Sequence, residues 1–142
     1  MTAEMPFPVI EARLPDLAAF VRDLAGRVQA GKIDSWEPFA REVRAFFVPW
    51  QIAQIEQAAP GWGAMAAQGE GVTLVHVTAA LVALPLCPEF QVLPARDQAL
   101  LEWVILFHDI AKQVRPGQRD PLHAFRSAVL AAAALPGLGF AK

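Results

Sequence analysis

The residues of this sequence best suited to chemistry are three histidines and one aspartate, all in its second half. They are His76, His108 and His123, with Asp109 directly after His108. Imidazole and carboxylate groups serve as ligands of divalent transition ions and as general acids and bases. The segments that carry these residues therefore decide which chemistry is plausible.

The pair His108-Asp109 lies in the string LEWVILFHDIAK, where positions 103–108 read Trp-Val-Ile-Leu-Phe-His. This almost uninterrupted apolar run predicts a helix that is buried on most sides. An ionised carboxylate in such a place needs a partner, because burying it alone costs on the order of several kcal/mol. Helical spacing predicts that Ile105, His108, Asp109 and Lys112 form one continuous face.

Three interpretations of the pair are open. Asp109 could form a buried ion pair with Lys112 or an arginine, while His108 is hydrogen-bonded in the core. An acid–base dyad is a second interpretation, although no nucleophile lies nearby in the sequence. A metal site is the third, and His76 favours it, because TLVHVTAALVAL predicts another nearly charge-free helix. Its small residues Ala79 and Ala83 would let a second helix approach closely.

The rest of the pattern predicts an all-α fold. Apolar residues at helical spacing, proline starts and glycine stops mark the elements. Gly31 ends the first of them, Asp34-Ser35 is expected to cap the next, and the glycine-rich stretch 60–71 is expected to be a loop or hinge. The predicted helices are 15–30, one from about 36 to the residues before Pro49, and then 50–59, 72–84, 95–112 and 121–134. We expect residues 1–70 to be an N-terminal helical segment that packs on a core of residues 71–142.

Composition narrows the function classes. The 142 residues amount to one domain, are 55% hydrophobic and 18% charged, and carry a net charge of −2. This charge argues against binding nucleic acid through bulk electrostatics, and no segment resembles a signal peptide or a membrane span. The single cysteine, Cys87, favours a reducing cytoplasm. The apolar surplus favours a homo-oligomer or further helices outside this sequence.

The string LFHDIAK, together with the earlier His76, resembles the signature of the HD superfamily, usually written LLHDIGK. The resemblance covers roughly residues 70–135. It implies an HD-type helical bundle and a metal-dependent phosphohydrolase, with His76, His108 and Asp109 as ligands of a divalent ion. It also implies that Lys112 lies near the substrate phosphate and acts in catalysis with Asp109. Manganese, iron, cobalt, nickel, zinc and magnesium are the candidate ions, and an imidazole–carboxylate set favours the transition metals.

The same resemblance gives a role to the helix after the HD motif. There, His123 would bind a second ion or face the substrate, and Ser127 matches a small residue that many members have one turn later. Arg115, Arg119 and Arg126 make this region locally basic, which suits a phosphorylated ligand, although each would serve equally as a solvated surface charge.

The sequence departs from the family pattern in one respect. The last ligand of the family is a downstream aspartate, and no Asp or Glu follows Asp120, which is itself too close to the HD motif to fill that place. We therefore expect one of two situations. Either further helices after Lys142 supply the carboxylate, which the apolar alanine-rich ending favours, or this chain has lost metal-dependent activity.

Hydrolysis of a nucleotide or another phosphate ester is thus the function that the resemblance implies, with a small phosphorylated molecule as the ligand. An incomplete HD-like module that binds or regulates is the first alternative. Its contact surface would be the aromatic residues of the N-terminal helices, unless these belong to an internal core. They are Trp36, Phe39, Phe46, Phe47 and Trp50. A two-metal oxygenase that employs His123 is the second alternative. The sequence identifies neither the substrate nor the number of ions.

Overall fold

The structure of the chain is a computed structural model that describes residues 9–112, 127–129 and 131. Regular structure within these ranges is helical, without a strand, so the prediction of an all-α fold is confirmed. The elements are α1 (Ile10–Arg13), α2 (Pro15–Gln29), α3 (Trp36–Phe46), α4 (Pro49–Ala58), α5 (Trp62–Ala67), a 3₁₀ turn (Gln68–Gly71), α6 (Val72–Leu86), α7 (Pro88–Gln91) and α8 (Ala95–Phe107). Residues 127–129 are helical as well.

Helices α2 and α3 begin where the sequence predicts, and α4 begins one residue earlier than predicted, at Pro49. Pro15 and Pro49 occupy the first positions of α2 and α4, where a residue without an N–H loses no hydrogen bond. Ser35 precedes α3 with extended backbone angles, as a capping residue should, but its side chain makes no capping hydrogen bond. The apolar face of α3 holds its start in place instead, through the buried residues Phe39 and Val43.

The prediction of a loop at residues 60–71 was wrong, because this stretch forms α5 and the 3₁₀ turn. Gly61 opens α5 with φ of 101°, a left-handed conformation that favours glycine. The carboxylate of Glu56 accepts the backbone N–H groups of Gly61 at 2.6 Å and Gly63 at 3.2 Å, which satisfies donors at the helix start. Trp62 and Met65 are completely buried.

Helix α6 is the centre of the fold, and α2, α3, α5 and α8 all contact it. Its residues are apolar on nearly every side, and Val75, Val77 and Leu81 are buried. The helix runs slightly past its predicted end, with Pro85 inside its last turn, and α7 follows as a short helix that the sequence did not predict. This central position fixes His76, which lies near the start of α6, relative to the rest of the core.

Helix α8 ends at Phe107, so the predicted helix 95–112 and its continuous face from Ile105 to Lys112 are wrong beyond that point. The indole N–H of Trp62 donates to the carbonyl oxygen of Leu106 at 3.1 Å, which satisfies one of the carbonyl groups that the helix end leaves without a partner. The N–H of Ile110 then bonds to Phe107 and that of Lys112 to Asp109, both over three residues. Tight turns therefore replace the helix over residues 108–112.

The buried apolar side chains of the described residues form one cluster, to which α1 to α6, α8 and Ile110 contribute. The N-terminal aromatic residues divide between core and surface: Phe39 and Phe47 are buried, whereas Trp36 and Trp50 are exposed. Among the described helices, none combines the length and the apolar character that crossing a membrane requires.

Candidate metal centre

Three of the residues predicted from the sequence meet at one point. The Nε2 atoms of His76 and His108 each lie 3.3 Å from Oδ2 of Asp109, and they lie 3.4 Å from one another. We call this group the triad. His76 comes from the second turn of α6, while His108 and Asp109 begin the turn after α8, so the packing of these two helices forms the group.

The triangle of these atoms has the size expected around a metal ion. An ion ~2.0–2.1 Å from each of three tetrahedral ligand atoms separates those atoms by ~3.3–3.4 Å. The three measured separations agree with this edge length, and two imidazoles with one carboxylate form a common ligand set for transition ions. The separations of the three ligand atoms therefore match those expected around a bound divalent ion.

A hydrogen bond inside the turn sets the orientation of the His108 ring. Its Nδ1 atom lies 2.5 Å from the carbonyl oxygen of Ile105. Because a carbonyl oxygen can only accept, Nδ1 carries a hydrogen and donates it. In the neutral imidazole, Nε2 then presents its lone pair to the triad, as a metal ligand must.

The same geometry is unfavourable for a neutral His108 without a cation. Its Nε2 lone pair would then face a carboxylate oxygen of Asp109 at 3.3 Å, and two acceptors at that distance repel each other. A metal ion between the atoms, or a proton on either group, removes this repulsion. The arrangement therefore admits the metal site and also a hydrogen-bonded His108–Asp109 pair, which differs from the predicted ion pair of Asp109 with Lys112 or an arginine.

Exposure to solvent changes steeply across the triad. The side chain of Asp109 is 7% exposed, that of His108 is 32% exposed and that of His76 is 57% exposed. One side of the triangle is thus embedded in protein and the other is open. Among the described residues the site has three protein ligands and an exposed side, an arrangement typical of catalytic rather than structural metal ions.

Side chains from distant segments hold the turn that carries the triad. Besides the Trp62 indole on Leu106, the Gln68 amide donates to the carbonyl oxygen of Lys112 at 3.2 Å. From the other side, the hydroxyl of Ser127 accepts the N–H of Ala111 at 2.9 Å, and Ser127 is buried. Both ends of the turn are therefore fixed from outside, which keeps His108 and Asp109 directed at His76.

These supporting roles were not recognised in the sequence. The sequence predicts no hydrogen bond from Trp62 to α8, and Gln68 falls in the stretch 60–71 that it predicts as a loop. It predicts Ser127 only as a small residue that matches the family pattern. The available signal was weak: a tryptophan and a glutamine stood out in a segment of glycine and alanine, and such residues usually have a polar partner when they are buried.

Of the other predicted site residues, Lys112 is the one that the structure describes. Lys112 is half-buried, and no hydrogen bond or ion pair joins its side chain to the triad, so the alternative of an Asp109–Lys112 ion pair is not formed. Its role at a phosphate stays a prediction. Four further candidates lie outside the described residues: His123, Arg115, Arg119 and Arg126.

Comparison with protein-family models, with curated proteins and with solved structures finds no match for this chain. The resemblance to the HD superfamily therefore stays a prediction, which rests on the LFHDIAK string and on His76. What stands independently of it is an all-α fold in which two histidines and an aspartate converge with the geometry of metal ligands.

Proposed function

We propose that this protein is a metal-dependent phosphohydrolase that acts on a phosphate ester at the triad. The observation that carries the proposal is the triangle of His76, His108 and Asp109 ligand atoms, with edges of 3.3–3.4 Å and one face open to solvent. The choice of phosphate as the reacting group comes from the family resemblance, and electrostatics supports it. Two neutral imidazoles and one carboxylate leave a divalent ion with a net positive charge, which favours an anionic ligand.

A bound divalent ion would supply Lewis acidity, polarising a phosphoryl oxygen and making water a competent nucleophile near neutral pH. The residues of the chain contribute position and access. Asp109 provides the negative ligand and is held at the buried side of the triad, whereas the exposed His76 leaves room for substrate and water. His108 is fixed by its bond to Ile105 and needs no reorientation during a reaction. Lys112 is the proposed partner of the phosphate charge.

The test is a hydrolysis screen with the full chain, using several phosphate esters in the presence of manganese, cobalt, nickel or zinc. We expect release of inorganic phosphate that needs a metal and disappears in His76→Ala, whose exposed position should leave folding intact. Wild-type protein that binds metal but hydrolyses none of the esters would contradict the hydrolase proposal. Without metal binding, the alternative of a binding or regulatory module would replace it.

A further inference from the structure

A second feature of the described surface is a cavity of about 480 Å³ between α2, α3 and α6. Pockets that hold small organic ligands commonly measure ~300–1,000 Å³. The lining is mostly aliphatic and aromatic, and its polar side chains, Asp34 and Ser35, lie together in the α2–α3 connection. The apolar part of the wall is formed chiefly by Val28, Ile33, Trp36, Phe39, Val82 and Leu86.

This cavity lies on the same side of α6 as the triad. Ala83, which lines the cavity, follows His76 after two helical turns, so the two residues share a face at a separation of ~10 Å along the axis. Both are exposed, and Ala79 lies between them along the helix. On this face of α6, Ala79 and Ala83 place no side chain larger than a methyl group between His76 and the cavity.

The wall formed by Trp36 shows which kind of group suits the cavity. Its ring is stacked on Phe39 with centroids 5.8 Å apart, yet Trp36 remains 58% exposed. An apolar group in the cavity would cover this ring and gain the free energy of removing apolar surface from water. Asp34 in the lining adds a negative charge, which disfavours an anionic group at this end of α6.

The triad end of this face therefore favours an anionic group and the cavity end favours an apolar group. One amphiphilic molecule would supply both. We propose that the cavity binds the apolar part of the substrate, so that the enzyme acts on phosphate esters of aliphatic alcohols with the phosphate at the triad and the chain on Trp36. This inference rests on the proposed function. Nucleotides fit less well, because the lining offers a nucleobase few hydrogen-bonding groups beyond Asp34 and Ser35.

The test measures ligand binding separately from hydrolysis. Octyl phosphonate, methyl phosphonate, octanol and adenosine monophosphate are titrated into the zinc-loaded protein, with the amphiphile kept below its micelle-forming concentration. Tryptophan fluorescence reports occupancy of the cavity, and Trp36→Phe identifies the share of the signal that comes from Trp36. We expect both octyl compounds to change that signal, with affinity rising about fourfold for each methylene buried.

A substitution that fills the cavity tests the position of the chain. Ala83→Leu should weaken octyl phosphonate at least tenfold and leave methyl phosphonate unchanged. The matched control is Ala45→Leu, at an exposed alanine of α3 that does not line the cavity. Equal binding of octyl phosphonate by wild type and Ala83→Leu would overturn the proposal, as would binding of adenosine monophosphate on Trp36 in preference to the octyl ligands.

The two proposals fail in different ways. If octanol and octyl phosphonate bind on Trp36 but His76→Ala and metal removal leave both affinities unchanged, the cavity stands as an apolar site and the metal-centred function fails. If metal-dependent hydrolysis of small esters occurs and no octyl compound affects Trp36, the function stands and the cavity proposal fails. A larger affinity for octyl phosphonate than for octanol, lost in His76→Ala, would support both.

Discussion

Two acidic side chains, one in the middle of α8 and one just after it, have very different surroundings. Asp109, just after the helix, lies within 3.3 Å of an imidazole nitrogen from each of His76 and His108. Glu102, within the helix, lines a smaller cavity near Glu11 and Arg22. Burial, and then the negative charge of Glu11, raises the pKa of Glu102 to about 7, although Arg22 acts in the opposite direction.

The difference shows which surroundings suit a carboxylate with little exposure to solvent for binding a metal ion. Glu102 has no hydrogen bond or ion pair with the described residues, so a proton is its simplest means of neutralisation. Asp109 lies beside two imidazoles that can bind a cation. The backbone of its turn is hydrogen-bonded to the side chains of Gln68 and Ser127. Both carboxylates are thus shielded from solvent, but only Asp109, of the two, lies beside imidazole groups.

The most direct way to break this comparison is to neutralise each acid in turn. Asp109→Asn should lower zinc affinity more than ~100-fold, since losing even a residue that only supports a ligand costs ~10–100-fold. Glu102→Gln should leave zinc affinity unchanged. Isothermal titration calorimetry gives both values, and equal affinities of Asp109→Asn and wild type would remove Asp109 from the site.

The next largest effect is expected at Trp62, whose indole hydrogen-bonds to the last turn of α8. Trp62→Phe should lower the free energy of unfolding by ~2 kcal/mol, because it leaves the Leu106 carbonyl without its donor and opens space in the core. Chemical denaturation measures this change. The control, Trp50→Phe at an exposed ring, should alter stability by less than ~0.5 kcal/mol. Similar losses in both variants would mean that the indole hydrogen bond does not stabilise this end of α8.

A subtler test separates support of the triad from stability of the fold. Gln68→Met keeps the length of the side chain but removes the donor to Lys112, so we expect zinc affinity to fall ~10-fold. The unfolding free energy should change by no more than ~1 kcal/mol. Gln91→Met removes a similar bond to a backbone carbonyl, that of Pro85, far along α6 and should leave zinc affinity unchanged. A loss of affinity equal in both variants would show a general rather than a local effect.

The smallest effect is a pH dependence from Glu102. Since its pKa in the folded chain is raised from 4.5 to about 7, the folded state binds more protons than the unfolded state between these values. Stability should therefore fall as pH rises through this window, by ~1 kcal/mol once partial solvent screening is allowed for. Denaturation at a series of pH values should show this slope in wild type and a reduced slope in Glu102→Gln. An identical slope in both would contradict the assignment.

Local sequence was sufficient for the helices whose patterns are self-contained. Apolar spacing located α2, α3 and α4, and two nearly charge-free segments correctly indicated the two central helices. The grouping of His76 with His108 and Asp109 was expected from ligand-type residues in these two segments and from the family resemblance, and the structure brings the three together. The chemistry of the group stays a prediction.

What the sequence could not supply depends on individual bonds between side chains and the backbone. The stretch 60–71 contains helix-breaking glycines, yet it folds as α5 with the Glu56 carboxylate on its first N–H groups. At the end of α8, the Trp62 indole satisfies the Leu106 carbonyl, one of those that a helix end leaves without a partner. The apolar pattern of the sequence indicates neither bond.

The central claim is that the triad binds a divalent ion through two imidazoles and one carboxylate. X-ray absorption of the protein loaded with one equivalent of zinc tests it most directly. The account predicts nitrogen and oxygen neighbours at ~2.0–2.1 Å with the outer scattering of two imidazole rings, reduced to one ring in His76→Ala. Zinc that does not bind stoichiometrically, or a spectrum without imidazole scattering that His76→Ala leaves unchanged, would contradict it.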